Sequence, residues 1–357
     1  MENKSTKVIG YWLSEKKTQK LNWTEFNFVC RKYGFELVKL DLSRDLEEQG
    51  PFTVILHKLT DIIALAIQGD PEAQAMISRV ENYIKCHPEV AIIDPLESVR
   101  KLLDRYCSYS FIHDSGLEKA NVFIPSFVEL TSNDFEENLK TLRMAGVNFP
   151  FVCKPSVAHG SSNAHKLRMI FNEEGVKDCR PPCVAQSFVN HNAVLYKIYL
   201  VGDEHFLVER PSLKNFYPSD RGTIFFDSHD VSKADSTSSL SILDPDDREL
   251  STIQPEASKL QQIVRVVRRK LGMSLMGIDV VIENGSGRYG IIDINAYPGY
   301  DGYPNFFQSL MNLILEMINQ HNCDLISPGD DSGFDTGDSS DEKKKQSAAT
   351  EDSWFNC

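Results

Sequence analysis

The chain has 357 residues, 41% of them hydrophobic and 25% charged, with a formal charge of −13 from 38 Lys and Arg against 51 Asp and Glu. That length allows two domains with substantial cores, and the acidic balance argues against a general nucleic-acid binder. No apolar run is long enough to cross a bilayer and nothing after Met1 has the layout of a signal peptide; the 8 Cys, without a CxxC pair or zinc spacing, read as reduced thiols of a cytoplasmic protein, and a monomer is expected.

In chain order, residues 7–13 read as a strand and the following SEKKTQK as a loop carrying Lys16, Lys17 and Lys20. Asn22 with Glu25 three residues later resembles a capping box, and Phe26, Val29, Cys30 and Tyr33 give a helix its buried stripe before Gly34 ends it. Strands at 36–40, 54–57 and 90–93 with a helix over 72–86 predict a small open α/β domain. Asp94-Pro95 then opens a helix with Val99, Leu102, Leu103 and Tyr106 on one side and Arg100, Lys101 and Arg105 on the other. By spacing alone Arg105 belongs to a solvated face. From about Ser126, strands at 149–154, 166–171, 182–188, 194–201 and 205–209, with a helix near 134–145, predict an antiparallel α+β domain. The Ser- and Asp-rich stretch 227–247 reads as a mobile loop. A helix from Pro255 turns Leu260, Ile263, Val264, Val267 and Leu271 inward and stops at Gly272. A last helix uses Phe306, Leu310, Leu313 and Met317, and the sequence then becomes acidic and Ser-rich, as a disordered tail would be. The expected division is 1–95, 96–322 and a tail over 323–357.

The chemistry concentrates in residues 275–302, LMGIDVVIENGSGRYGIIDINAYPGYDG. Two β-branched segments, 277–282 and 290–294, flank an Asn- and Gly-rich turn and predict a hairpin. Alternation puts Ile278, Val280, Ile282, Ile292 and Ile294 on one side and Asp279, Asp293 and Asn295 on the other. Asp279 and Asp293 stand equally far from Ser286 in the turn, so they become neighbours across the strands. Two carboxylates there repel unless one is protonated or a cation lies between them. With the Asn295 oxygen added, the set suits a hard divalent ion, Mg²⁺ first. The alternative is a polar face turned to water.

Other motifs are weaker. The GxGxxG at Gly285, Gly287 and Gly290 lies between two strands and opens no helix, so it is a turn and not a dinucleotide fingerprint. There is no GxxxxGK[ST] loop and no protein-kinase HRD or DFG set. Lys154 ends an apolar strand and leads into PSVAHGSSNAH, with His159 and His165: a point charge beside exposed backbone donors, as phosphates require. A plain surface loop has the same composition. Residues 183–191, CVAQSFVNH, read either as a connector able to pair with adenine or as an ordinary strand exit. Lys58, Lys197, Arg210 and Lys214 add cations that snorkelling surface side chains would also supply.

Taken together, GYWLSEKK, HKLTD, LLDR, CKPSVAHG, NHNAVLYK, RPSLKNF and IDINAYPGYDG resemble the inositol-tetrakisphosphate 1-kinase family, also called inositol-trisphosphate 5/6-kinases, over most of residues 8–302. The resemblance implies an ATP-grasp architecture of mixed α/β and α+β class, with an N-terminal Rossmann-like pre-ATP-grasp domain and ATP held between two antiparallel sheets. It implies that Arg105 and Lys154 meet the ATP phosphates, that the segment from Gln186 to Lys197 holds adenine and ribose, and that Ser212, Ser228 and Ser232 line the nucleotide site. Asp279, Asp293 and Asn295 would bind two Mg²⁺. Lys17, Lys58, His159, His165, Lys197, Asn295 and Gly299 would contact the inositol phosphate, with His159, Lys197 and Asp293 in catalytic roles. Two features depart from the family pattern: Pro155 and Ser156 stand where Thr and Arg are expected, and the loop GSSNAH is one residue longer. The implied reaction is in-line transfer of the ATP γ-phosphoryl group to a ring hydroxyl of an inositol tris- or tetrakisphosphate. The competing readings are an ATP-grasp carboxylate-amine ligase and a non-catalytic inositol-phosphate binding protein.

Overall fold

The computed structural model describes residues 7–157, 164–248 and 253–326. Its first sheet is parallel, built from Lys7–Trp12 (β1), Phe35–Lys39 (β2), Val54–His57 (β3) and Ala91–Ile93 (β4) in the order β2-β1-β3-β4. Parallel neighbours need crossovers, and the helices Trp23–Lys32, Thr60–Ile67 and Pro71–Cys86 supply them. This is the small open α/β unit that the βα alternation predicted and that the resemblance implied to be Rossmann-like. β3 is buried on both faces, as its unbroken VILH demands.

The remaining strands are Val122–Phe123 (β5), Phe127–Leu130 (β6), Phe151–Pro155 (β7), Lys166–Ile170 (β8), Cys183–Ser187 (β9), Val194–Val201 (β10), Glu204–Pro211 (β11), Ile224–Asp227 (β12), Leu275–Ile282 (β13) and Tyr289–Ala296 (β14). They form two five-stranded sheets, β11-β10-β13-β14-β5 and β12-β8-β7-β9-β6, antiparallel except where β5 joins β14. The helix Ala257–Leu271 buries the stripe read from the sequence, and Gly272 closes it at φ 66°, a left-handed cap that glycine takes without strain.

Several elements differ from expectation. Residues 15–20 form a helix, Glu15–Lys20, because Ser14 caps it by accepting from Lys17 N. Asn22 adopts a left-handed conformation at φ 51° and makes no side-chain cap; its amide donates to Glu25 at 3.2 Å instead. The helix expected after Asp94 is two, Leu96–Arg100 and Arg105–His113. Asp104 Oδ1 accepts from Cys107 N at 2.8 Å and restarts the helix, and Arg105 at its first position is turned inward to 5% exposure, against the solvated face that spacing suggested. The stretch 227–247 contains the helix Ser228–Ser232, and Val231 packs against Phe171 and Phe216. The last helix, Phe306–Ile326, carries the fold past residue 322, and residues 327–357 lie outside the described residues. Cys107 is disulfide-bonded, so reduced thiols throughout do not hold; Cys30, Cys86, Cys153, Cys179 and Cys183 are free.

The parallel sheet and the β10/β13 sheet share their cores. One cluster joins Leu56 and Ile93 to Tyr199, Leu275 and the last helix. Asp94 pins the same junction: its two carboxylate oxygens accept from Ser274 N at 2.7 Å and Leu275 N at 3.0 Å, while its carbonyl lies 2.7 Å from His57 Nε2. Burial pushes the Asp94 carboxyl up to about 6 and the His57 ring down to about 4.

Candidate active site

The β13–β14 hairpin forms with Asp279 directly opposite Asp293, as predicted. Immediately beyond Asp279 the register shifts, and a bulge pairs Val280 with Ile291. Ile291, fully buried, therefore joins Ile278, Val280, Ile282 and Ile294 in the core, whereas Ile292 packs on the other side with Val189 and Val281. The strict alternation that placed Ile292 in the core fails at this extra residue.

Lys197 of β10 is the register partner of Asp279, so Lys197, Asp279 and Asp293 make one rung across three strands. Lys197 Nζ stands 2.7 Å from Asp279 Oδ1 and donates to Oδ2 at 3.0 Å. Burial works against the Lys197 charge, but Asp279 outweighs it and the net shift is upward. Burial raises the Asp279 carboxyl, with Lys197 opposing and Asp293 adding to the rise. Asn295 extends the face, its amide 3.5 Å from Asp293 Oδ2.

On one side of the rung lie the residues expected at ATP. Lys154, at the end of β7, donates to Gln186 Oε1 at 2.8 Å, to the Ile292 carbonyl at 2.8 Å and to Tyr109 OH at 3.0 Å. Burial lowers Lys154 to about 8, with Asp293 holding it from falling further. Arg105 bonds the carbonyls of Pro155 and Ala164, and its remaining nitrogen, Nη1, lies 3.8 Å from Asp293 Oδ1 without a hydrogen bond. Gln186 Nε2 is a second buried donor without a partner. An orphaned donor costs about 1–3 kcal/mol, and two of them beside a buried lysine are what the acceptor atoms of a nucleotide would satisfy. His165 lies within reach of this charge set: burial lowers its pKa, then neighbouring His229 and Arg105. Ser228 Oγ is 3.4 Å from His165 Nδ1.

On the other side, Lys17 and Lys58 both donate to the Tyr297 carbonyl, at 2.9 and 3.1 Å, and Lys17 also to that of Pro298. Burial, then the charges of Lys58 and Lys20, bring Lys17 down to about 6, and burial depresses Lys58. Carbonyl oxygens here take the place that harder anionic oxygens would fill better. The turn presenting them is strained, with Tyr297 and Tyr300 at φ 41° and 54°, each costing about 1–3 kcal/mol. Buried rings on both tyrosines hold it. Gly299 sits in the same turn, where a Cβ would come within 2.6 Å of Asp301 Oδ2 and 2.9 Å of Lys20 Nζ.

The fold thus brings together Arg105, Lys154, Gln186, Lys197, Asp279, Asp293 and Asn295, with His165 and Ser228 adjacent and Lys17, Lys58 and Gly299 at the far edge. Ser212 is buried and turned to His191, whose Nε2 is 2.7 Å from its hydroxyl. Ser232 ends its short helix half-buried, away from any bond to this set. His159 lies outside the described residues. Sequence reasoning missed Tyr109, whose hydroxyl donates to the Ile292 carbonyl at 2.9 Å and lies 3.5 Å from Asp293 Oδ1. Its position one turn after Arg105 on the same helix was the available signal.

The donor set fits magnesium. Among the described residues no cluster of three or more His, Cys, Asp or Glu suited to a metal occurs. Mg²⁺ does not need one, because it is commonly held by one or two carboxylates together with substrate phosphates and water. Asp279, Asp293 and Asn295 offer hard oxygens on one face beside the cations that would hold those phosphates.

Two five-stranded, mainly antiparallel sheets that meet where Lys154 of β7 bonds the Ile292 carbonyl of β14, preceded in the chain by a Rossmann-like unit, define the ATP-grasp class. Solved structures agree: the D-alanine–D-alanine ligase from Bacillus anthracis complexed with ATP superposes with a TM-score of 0.52 at 14% identity, covering 90% of this chain and 99% of that one. The ATP-grasp ligase PsnB with its minimal precursor gives 0.52 at 14% identity, covering 86% and 99%. Within that class, the family models for the inositol 1,3,4-trisphosphate 5/6-kinase pre-ATP-grasp and ATP-grasp domains match residues 8–99 and 117–316, and the chain belongs to this family of ATP-dependent kinases. The inositol-tetrakisphosphate 1-kinase of Danio rerio is 46% identical over 90% of this chain and 82% of its own length. That of Xenopus laevis is 46% identical over 87% and 79%, and inositol-tetrakisphosphate 1-kinase 3 of Arabidopsis thaliana 30% over 90% and 87%.

Proposed function

We propose that the cleft transfers the γ-phosphoryl group of ATP to a ring hydroxyl of inositol tris- and tetrakisphosphates. The observation that carries this reading is the two-sided arrangement about the Lys197–Asp279–Asp293 rung: a buried Lys154, Arg105 and Gln186 on one side and a cluster of depressed lysines on the other. Phosphoryl transfer of this kind needs positioning and charge neutralisation more than covalent chemistry. Lys154 and Arg105 hold the triphosphate, and Gln186 faces the adenine side. Lys17 and Lys58, with His165 and the Gly299 turn, hold the ring phosphates, and Lys197 stands between donor and acceptor. Asp279, Asp293 and Asn295 would hold two Mg²⁺, which would supply positive charge to neutralise the phosphate oxygens.

In this reading the substrate-side unit ends near residue 95 and the catalytic unit closes with the helix Phe306–Ile326, and the protein works as a cytoplasmic monomer. Among the described residues no helix is long and apolar enough to cross a membrane. A carboxylate-amine ligase would share the acid pair and the ATP lysine, but it has no use for Lys17, Lys58 and Lys20 gathered at one turn. The deciding experiment measures ATP consumption with inositol 1,3,4-trisphosphate or a tetrakisphosphate against amino-acid pairs. Turnover with amino acids alone would overturn the kinase reading, and tight binding without turnover would make the protein a binding module.

A further inference from the structure

Away from the cleft, a groove of about 590 Å³ opens between the helix Ala257–Leu271 and the turn joining β10 to β11. His205, Arg265, Arg268 and Arg269 line it, with Asp203 as its one carboxylate and Ser274 among its walls. It is distinct from the catalytic cleft on two counts. Ser274 precedes Asp279 by five residues, about 17 Å along an extended strand. The helix also covers the face of the sheet that carries Ile278 and Val280, opposite the face that carries Asp279.

The helix end alone does not account for the charge. Cations in a last turn balance a partial charge of about half a unit, and Arg268 is further paired with Asp203. Three guanidinium groups against one carboxylate and half a unit leave a positive excess in a chain of net charge −13. Among the described residues Arg265 and Arg269 have neither a carboxylate nor a hydrogen-bond partner, and both are exposed to the groove. Guanidinium forks match phosphate oxygens two at a time, and the volume suits a small molecule of nucleotide or inositol-polyphosphate size.

We propose that this groove is a second anion site, which takes a multiply phosphorylated small molecule independently of the catalytic cleft. The test uses the full-length chain and inositol hexakisphosphate as probe, titrated calorimetrically at low and at physiological salt. Four forms are compared: the unmodified chain, the groove variant Arg265→Ser/Arg269→Ser, the cleft variant Lys17→Ala/Lys58→Ala and the variant carrying all four substitutions. The cleft variant is expected to retain a salt-sensitive binding event, and adding the two groove substitutions to it weakens that event at least tenfold. The groove variant alone keeps its kinase turnover within twofold, so the outcome does not depend on the catalytic reading. Parallel titrations with ATP and with pyrophosphate assign the occupant to a nucleotide, an inorganic or a ring form of the same chemistry. Absence of binding of all three probes to the cleft variant, or binding that survives the groove substitutions unchanged, overturns the proposal.

Discussion

Lys197 and Asp279 face each other across β10 and β13 with Nζ 2.7 Å from Oδ1, and each is the other's chief counter-charge in a buried setting. Removing one partner strands the other, at a cost of about 3–5 kcal/mol. Lys197→Met is therefore expected to lower the melting temperature by several degrees and turnover by at least a hundredfold. In the double variant Lys197→Met/Asp279→Asn the stability returns while the activity does not. A thermal melt alongside a kinase assay checks both, and a double variant as unstable as the single would show that the pair is not the cause.

Asp293→Asn keeps the shape of the rung and withdraws a charge from the proposed metal face. Turnover should fall by about two to three orders of magnitude, with the Mg²⁺ concentration for half-maximal rate shifted upward and the melting temperature near that of the parent. An unchanged magnesium dependence would remove Asp293 from the metal site.

Tyr109→Phe loses the hydrogen bond to the Ile292 carbonyl and the hydroxyl that Lys154 donates to. At about 1 kcal/mol for such bonds, KM for ATP should rise roughly five- to tenfold with KM for the inositol phosphate little changed. Equal shifts in the two constants would place Tyr109 in general packing instead.

Lys17 sits at about 6 before an anion arrives, so at pH 7 its amine is mostly neutral. Ring phosphates beside it raise that pKa, and binding must take up a proton at this position. Calorimetry at pH 7 in buffers of different ionisation enthalpy should show more proton uptake for the parent than for Lys17→Met. Identical uptake would remove Lys17 from the binding surface.

His57 and His191 are both buried, each lowered from 6.5 to about 4. The unfolded chain accepts protons that these folded rings refuse, so their contribution is present above pH 6.5 and is lost as pH falls toward 4. At 1.36 kcal/mol per unit this is up to roughly 3 kcal/mol each. Asp94, raised from 3.8 to about 6, works in the opposite sense, since its folded form takes up a proton first and offsets part of the loss. The melting temperature should fall from pH 7.5 to pH 5, and less steeply in His191→Gln; equal slopes would place the acid sensitivity elsewhere.

Much of this architecture was legible because local pattern and tertiary role coincide. The stripe from Leu260 to Leu271 and the cross-strand meeting of Asp279 with Asp293 follow from periods of 3.6 and 2. Failures came where one residue changes the phase. Asp104 restarts a helix whose first residue, Arg105, is turned inward, and the bulge after Asp279 exchanges the roles of Ile291 and Ile292. The junction through Asp94 was invisible for another reason: a lone Asp before Pro reads as a helix cap, and its partners Ser274 and Leu275 lie far along the chain. The motif resemblance supplied the proposed roles of Lys17 and Gly299, which no periodicity could.

That extra residue in the hairpin separates two kinds of selection on a single ribbon. Toward Asn295 the strands carry the acids of the proposed metal face, and toward Tyr289 they answer to packing. Substitutions at the packing end can accumulate without rotating the acids out of the cleft, whereas a deletion that straightens the ribbon would exchange inside for outside over half its length.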